Sequence, residues 1–181
     1  VANHLLVFDE LRRLFAATNV AKQRGFKAGH FAFLGKSGGA CRSCSGIGWV
    51  RSEFDFVGAD SWVLCEQCAG RRYDDETLMV RWQDQNLAEV LDATIDELLL
   101  IASQAGAKKL IAPLRIAQDL GLGYLRLGQS ADSLSGGEAQ RVSLAVHLAA
   151  PSRSSLPTLY LLDEPTRGLH PDDIDAMLLA F

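Results

Sequence analysis

Apolar residues change their period several times along this chain, and each change marks an element. Leu5, Phe8, Leu11 and Phe15 recur at helical spacing with charges between them, which predicts a helix with one buried face over residues 5–17. Trp49-Val50 and Ser61-Trp62-Val63-Leu64 read as short strands around a turn at Gly58-Ala59-Asp60. The helical period then returns. Asn86 can cap a short helix through Leu91, and Thr94 and Glu97 have capping-box spacing ahead of Leu98, Leu99 and Ile101. A further amphipathic helix over 108–120 is entered past Pro113 and closed by Gly121, and residues 121–128 read as a linker with one short apolar strand. Val142, Ala145, Val146 and Ala149 form the stripe of another helix, ended near Pro151, with a Ser-rich loop over 151–157. Leu159-Tyr160-Leu161-Leu162 shows no alternation, the pattern of a strand buried on both faces of a parallel sheet. Residues 172–179 again look helical. The only internal repeat is a pair of Cys-x-x-Cys-x-Gly turns.

With 181 residues, 48% of them hydrophobic and 22% charged, the chain has material for one core or two small ones and is not a disordered tail. Its net charge of −4 hides an asymmetry. Residues 1–52 carry eight Lys and Arg against Asp9 and Glu10, a local excess of +6 that leaves −10 for the rest. Such a split suits either a polyanion-facing surface at the amino-terminal end or an ordinary solvated face. No secretory pattern opens the chain and no apolar run approaches the roughly 20 residues that span a bilayer, so a cytoplasmic location and no membrane partner are expected. The first residue is not Met, and Phe181 falls inside a helical pattern, which suggests a piece of a longer protein.

The cysteines fall as Cys41-x-x-Cys44 and, after twenty residues, Cys65-x-x-Cys68. A two-residue spacer lets both thiolates of one tight turn reach a single tetrahedral ion, and two such turns close a four-sulfur shell, the arrangement of structural zinc. Two disulfides are the rival in an oxidising compartment. Gly46 and Gly70 each follow the second Cys of a pair by two residues, where positive φ helps the turn fold under the metal. Trp49 and Trp62 fit better as a small core for this module than as aromatic surface for a nucleic acid. Gly35-Lys36-Ser37 imitates the end of a phosphate-binding P-loop, but His30 stands where that loop needs its first Gly.

Two stretches point to nucleotide chemistry. In Leu134-Ser135-Gly136-Gly137-Glu138-Ala139-Gln140-Arg141, Ser135 and Glu138 are spaced as a capping box, and the glycines let backbone N–H groups approach an anion at a helix start. The apolar run before Asp163-Glu164-Pro165 places two carboxylates at the end of a strand, where ligands of parallel sheets bind. Taken singly, a capped surface helix and a core strand ending in a solvated turn would explain them. Together they resemble the signature and Walker B motifs of ABC-type ATPases. With the four cysteines upstream, the resemblance narrows to the second ATPase half of the UvrA family. It runs through Phe8-Asp9-Glu10-Leu11-Arg12, Gly38-Gly39, Gln67-Cys68-Ala69-Gly70-Arg71-Arg72-Tyr73, Glu89-Val90-Leu91-Asp92, Gly121-Leu122-Gly123-Tyr124-Leu125-Arg126-Leu127-Gly128-Gln129-Ser130 and Leu162-Asp163-Glu164-Pro165-Thr166-Arg167-Gly168-Leu169-His170.

That resemblance implies an α/β fold, a fragment of an ABC-type ATPase with a mostly helical signature domain and an inserted zinc module. It implies residues 1–35 as the helical start of the signature domain, 36–80 as the zinc-binding module and 81–157 as the helical part bearing the signature. Residues 158–181 would be the Walker B strand, D-loop and following helix. By the same resemblance Cys41, Cys44, Cys65 and Cys68 hold zinc, and Asp163 holds Mg²⁺ through water. Glu164 polarises the attacking water, and Ser135, Gly136, Gly137 and Glu138 face the γ-phosphate of ATP bound mainly by the opposite ATPase half. The Walker A loop would precede Val1, so this piece alone would not hydrolyse ATP. Family members dimerise, hold damaged double-stranded DNA, and gate loading of UvrB in nucleotide excision repair. Lys22, Arg24, Lys27 and Lys36 are the DNA-contact candidates, on their local positive charge.

Ala40, Leu34 and Arg167 depart from the family pattern, which leaves open a UvrA-like paralogue associated with tolerance of DNA-binding drugs. A transporter ATPase lacks the four-cysteine insert. Zinc-hook repair ATPases carry one Cys-x-x-Cys on long heptad helices absent here. A DnaJ-type zinc domain repeats Cys-x-x-Cys-x-Gly-x-Gly four times, and a plain binding fragment would have no ATP linkage.

Overall fold

The computed structural model describes residues 1–33, 38–51, 62–149, 161, 163–166, 174 and 178. The chain divides into two compact units, Leu11–Val90 and Val1–Glu10 with Leu91–Phe181. Helix α1 (Phe8–Ala17) begins later than its apolar period, because Leu6 has φ +58°, which a right-handed helix does not accept. Leu5 is nevertheless buried, in the turn that precedes α1.

In the unit Leu11–Val90, α2 (Asn19–Gln23) starts at Thr18, whose hydroxyl accepts the Ala21 N–H at 3.3 Å and donates to the Phe15 carbonyl at 2.8 Å. A 3₁₀ turn, Ala28–Phe31, brings Phe31 onto Phe15, ring centroids 5.8 Å apart, with Trp82 on Phe15 at 6.5 Å. Tyr73 is buried beside them and donates its hydroxyl to the Phe31 carbonyl at 3.0 Å, which satisfies its one polar atom. Strands β1 (Trp49–Arg51) and β2 (Trp62–Leu64) pair antiparallel, with Trp49 opposite Leu64. Helix α3 (Asp75–Leu78) is capped by Asp74. Strands β3 (Arg81–Trp82) and β4 (Gln85–Asn86) form a hairpin whose turn residues, Gln83 and Asp84, both have positive φ, as its tight turn requires.

Helix α4 (Leu87–Asp92) opens as expected: Asn86 Oδ1 accepts the Glu89 N–H at 3.0 Å, and Glu89 accepts the Asn86 N–H at 2.7 Å. In the other unit, α5 (Ile95–Gln104) carries the full Thr94–Glu97 capping box. It packs on α6 (Lys108–Asp119), which packs on α7 (Gly136–Ala149). Leu98, Ala102, Leu110, Leu114, Ala117, Leu120 and Ala145 are fully buried in this unit. Pro113 lies inside α6 rather than ahead of it, so the helix forgoes one internal hydrogen bond there.

Several expectations change. Residues 121–128 form turns with a single bridge, Arg126 to Thr94, because Thr94 is already the cap of α5 and pairing cannot continue past it. The buried face of α7 is Arg141, Val142, Leu144 and Ala145, with Val146 and Ala149 only half-buried. Trp49 and Trp62 are 43% and 53% exposed and do not make a core; the four cysteines with Val50 occupy that place. Leu161 is 88% exposed and not in a strand. A parallel strand needs neighbours on both edges and cover on both faces, which the described residues do not supply. Both sheets among them are two-stranded and antiparallel, so the fold is mostly helical with small sheets and a four-cysteine cluster. Ile174 and Leu178 are helical. The loop over 151–157, the turn at Gly58-Ala59-Asp60, Leu34, Lys36, Arg167 and the remaining residues of the 159–162 run lie outside the described residues.

Candidate functional site

The cysteines sit on two similar turns. In the first, Gly46 N–H reaches the Cys41 carbonyl at 3.1 Å and Gly48 N–H reaches Cys44 Sγ at 3.1 Å. In the second, Ala69 N–H reaches the Cys65 carbonyl at 2.7 Å. Gly46 has φ +82°, and a Cβ on it would lie 1.8 Å from the Phe33 carbonyl oxygen, so this position admits no side chain. Cys41 N–H binds the Arg72 carbonyl at 2.8 Å, and Cys65 N–H binds the Gly48 carbonyl at 3.0 Å, which draws the two turns together.

All four thiols are buried, and their sulfurs lie within 4.8 Å of one another. Four sulfurs about 2.3 Å from a tetrahedral ion would be about 3.8 Å apart. Cys41 to Cys65 is 3.9 Å and Cys44 to Cys68 is 3.7 Å. The set therefore fits a closed zinc shell in both chemistry and size. The backbone hydrogen bond from Cys68 holds the Cys65 thiol below its ordinary value, while burial pushes Cys41 and Cys68 up. Four crowded thiols cannot all ionise alone, and a divalent cation is what would let them.

In the signature turn, the Ser135 N–H donates to Glu138 Oε2 at 2.7 Å, and Ser135 Oγ accepts the Glu138 N–H at 3.3 Å. The capping box read from the sequence is therefore present. Ser135 and Gly136 are exposed, Gly137 and Glu138 half-exposed. Gln140 Nε2 donates to the Asp163 carbonyl at 3.0 Å, tying α7 to the start of the acidic pair. Asp163 and Glu164 are exposed, and Glu164 has φ +44°. Lys22, Arg24 and Lys27 are all exposed, on α2 and the turn after it, with an Arg24 Nη2 to Met79 Sδ contact of 3.3 Å.

Three participants carried no periodic or spacing signal. Tyr124 donates its hydroxyl to Glu138 Oε1, and this hydrogen bond is the chief reason the Glu138 carboxyl is held below its ordinary value. Arg141 is 3% exposed, with Nε and Nη1 unpartnered. Gln67 Oε1 lies 3.7 Å from Cys41 Sγ.

Among the described residues no helix is long and apolar enough to cross a membrane. No protein-family model matches the chain. It is 50% identical over 177 residues to UvrABC system protein A of Streptococcus pyogenes, and 48% identical to the proteins of that name from Methanothermobacter thermautotrophicus and Listeria monocytogenes. Each match covers 98% of this chain and 18% of the relative, so the chain spans about a fifth of the length of the curated relatives it matches. The crystal structure of UvrA2 from Deinococcus radiodurans is similar with a TM-score of 0.85 and 45% identity, over 99% of this chain and 21% of that one. Half of all positions identical across nearly the whole chain, the same fold, and the four-cysteine cluster together place this chain in the UvrA family.

Proposed function

We propose that this chain is the signature and zinc-module segment of a UvrA protein, acting within an ATP-driven dimer that holds damaged double-stranded DNA and passes it to UvrB in bacterial nucleotide excision repair. The observation that carries this reading is the 50% identity over 98% of the chain, which spans both the buried four-cysteine cluster and the capped signature turn. In this reading residues 1–35 and 81–157 form the signature domain, 36–80 the zinc module, and 158–181 the return to a cytoplasmic ABC-type ATPase core. Cys41, Cys44, Cys65 and Cys68 hold one structural zinc, which stabilises the fold of the module and leaves no position open for substrate.

The Ser135 hydroxyl and the N–H groups of Gly136 and Gly137 bind the γ-phosphate of an ATP held mainly by the opposite half, aided by the positive end of α7. Asp163 orients the hydrated Mg²⁺ site, and Glu164 accepts a proton from the attacking water as it approaches phosphorus. Replacing Glu164 with Gln in the full-length protein removes that acceptor while leaving ATP binding. Turnover is expected to fall by at least about 100-fold with little change in nucleotide affinity, and normal turnover would end the assignment.

Lys22, Arg24, Lys27 and Lys36 bind DNA phosphates. Reversing their charge is expected to flatten the dependence of log affinity on log salt by about 0.9 for each phosphate no longer neutralised, measured by titration at several salt concentrations. The UvrA-like paralogue stands as a second reading, favoured by the likeness to UvrA2 and by Ala40 and Arg167, which depart from the family pattern.

A further inference from the structure

The turn that opens α7 has a mechanical weakness. Two consecutive glycines, Gly136 and Gly137, begin the helix, and each costs about 1 kcal/mol in helical order relative to Ala. In the Ser135–Glu138 box, the bond from the Ser135 N–H holds only as long as the Glu138 carboxylate stays in place. Glu138 is half-exposed, so water competes for its carboxylate.

We propose that Tyr124 is a positioning residue for the signature turn, its hydroxyl clamping Glu138 so that the Ser135 hydroxyl and the Gly136 and Gly137 N–H groups stay aimed at the anion site. One carboxylate oxygen of Glu138 accepts the Ser135 N–H and the other accepts the Tyr124 hydroxyl, so the side chain is fixed at both atoms. The donor stands on a rigid mount. Leu122 and Leu125 on either side of Tyr124 are buried, Ile95 N–H binds the Leu125 carbonyl at 3.0 Å, and Asp96 N–H binds the Gly123 carbonyl at 3.1 Å. The clamp therefore ties the glycine-containing start of α7 to the capped start of α5. Arg141, three residues beyond Glu138 on the same helix, adds a buried positive charge whose Nε and Nη1 have no partner. Its field favours the ionised form of Glu138, the form in which both oxygens can accept. Tyr124 itself is 59% exposed, so packing does not explain the placement of its ring.

The inference rests on the reading of this turn as the γ-phosphate contact, and it is tested in the full-length protein with Tyr124→Phe, Glu138→Gln, the double variant and Glu164→Gln. Tyr124→Phe keeps the ring and removes only the donor. It is expected to lower kcat for ATP about tenfold at an unchanged melting temperature, and Glu138→Gln to lower kcat at least as much. The double variant should be no slower than the slower single variant, because both break one clamp. A Tyr124→Phe protein that turns over within about twofold of wild type, or losses that multiply in the double variant, would overturn the proposal. The Glu164→Gln control separates the two levels. If it is inactive while Tyr124→Phe is normal, only the positioning role falls; if it turns over normally, the ATPase reading falls with it.

Discussion

All four sulfurs of the cysteine cluster come from two short turns between Cys41 and Cys68, and all four are buried. At the signature turn the opposite holds: Ser135 and Gly136 face solvent, and so do Asp163 and Glu164. Both stretches are short motifs of equal regularity in the sequence, yet one closes on itself and the other presents an open face. Burial distinguishes them. A site whose ligands are buried by their own neighbours is part of the fold, and its loss is felt in stability. A site whose donors are exposed at a helix start contributes little to the fold, and its loss is felt where a ligand is bound.

The contrast can be broken at either end. The largest effect is expected from Cys65→Ser, which leaves three sulfurs for the proposed zinc. Structural zinc contributes on the order of 10 kcal/mol to such modules, so metal content should fall from one per chain toward zero and the melting temperature should drop with it. Thiol titration before and after chelation gives the same answer in the unaltered protein. Four accessible thiols before chelation would show that the cluster does not close. Next in size is Ser135→Ala, expected to cost only about 1 kcal/mol of stability in denaturant unfolding, the worth of one helix cap. A loss as large as that of the cysteine variant would mean the signature turn is structural after all.

The smallest effect concerns the second capping box, Thr94–Glu97, which serves no proposed ligand. The Thr94 N–H donates to Glu97 at 2.8 Å and holds its carboxyl below the ordinary value of 4.5. A carboxyl lowered by folding stabilises the fold above its unfolded value, and that contribution is lost as pH falls through the lower folded value. Unfolding midpoints followed between about pH 6 and pH 3 should show this acid-side loss in the wild type and less of it in Glu97→Gln, which removes the titrating carboxyl. An identical acid profile for the two would show that the box adds nothing to stability.

The helices were readable wherever a cap and a period agreed. Asn86 and Thr94 announced α4 and α5 correctly, and Ser135 announced α7, because a cap is a local arrangement of three or four residues. Reading failed where the answer lay in distant neighbours. Trp49 and Trp62 looked like core residues by type, but four buried sulfurs took the interior of their module. Pro113 looked like a helix entrance and proved to be an interior residue held by the packing of α6. Arg141 fell beside an apolar stripe, and nothing in its spacing foretold that α7 would bury it.

Caps and the two Cys-x-x-Cys turns by themselves determined where α4, α5 and α7 start and which residues could bind metal or anion, since these depend on contacts within a few residues. Only the tertiary structure decided that the four sulfurs meet within 4.8 Å of one another, with the Cys41–Arg72 and Cys65–Gly48 backbone bonds between their turns. It alone brought Tyr124 to Glu138, fourteen residues apart in sequence. Such pairings form when packed helices and loops place the two partners together, and no periodicity in a linear chain encodes them.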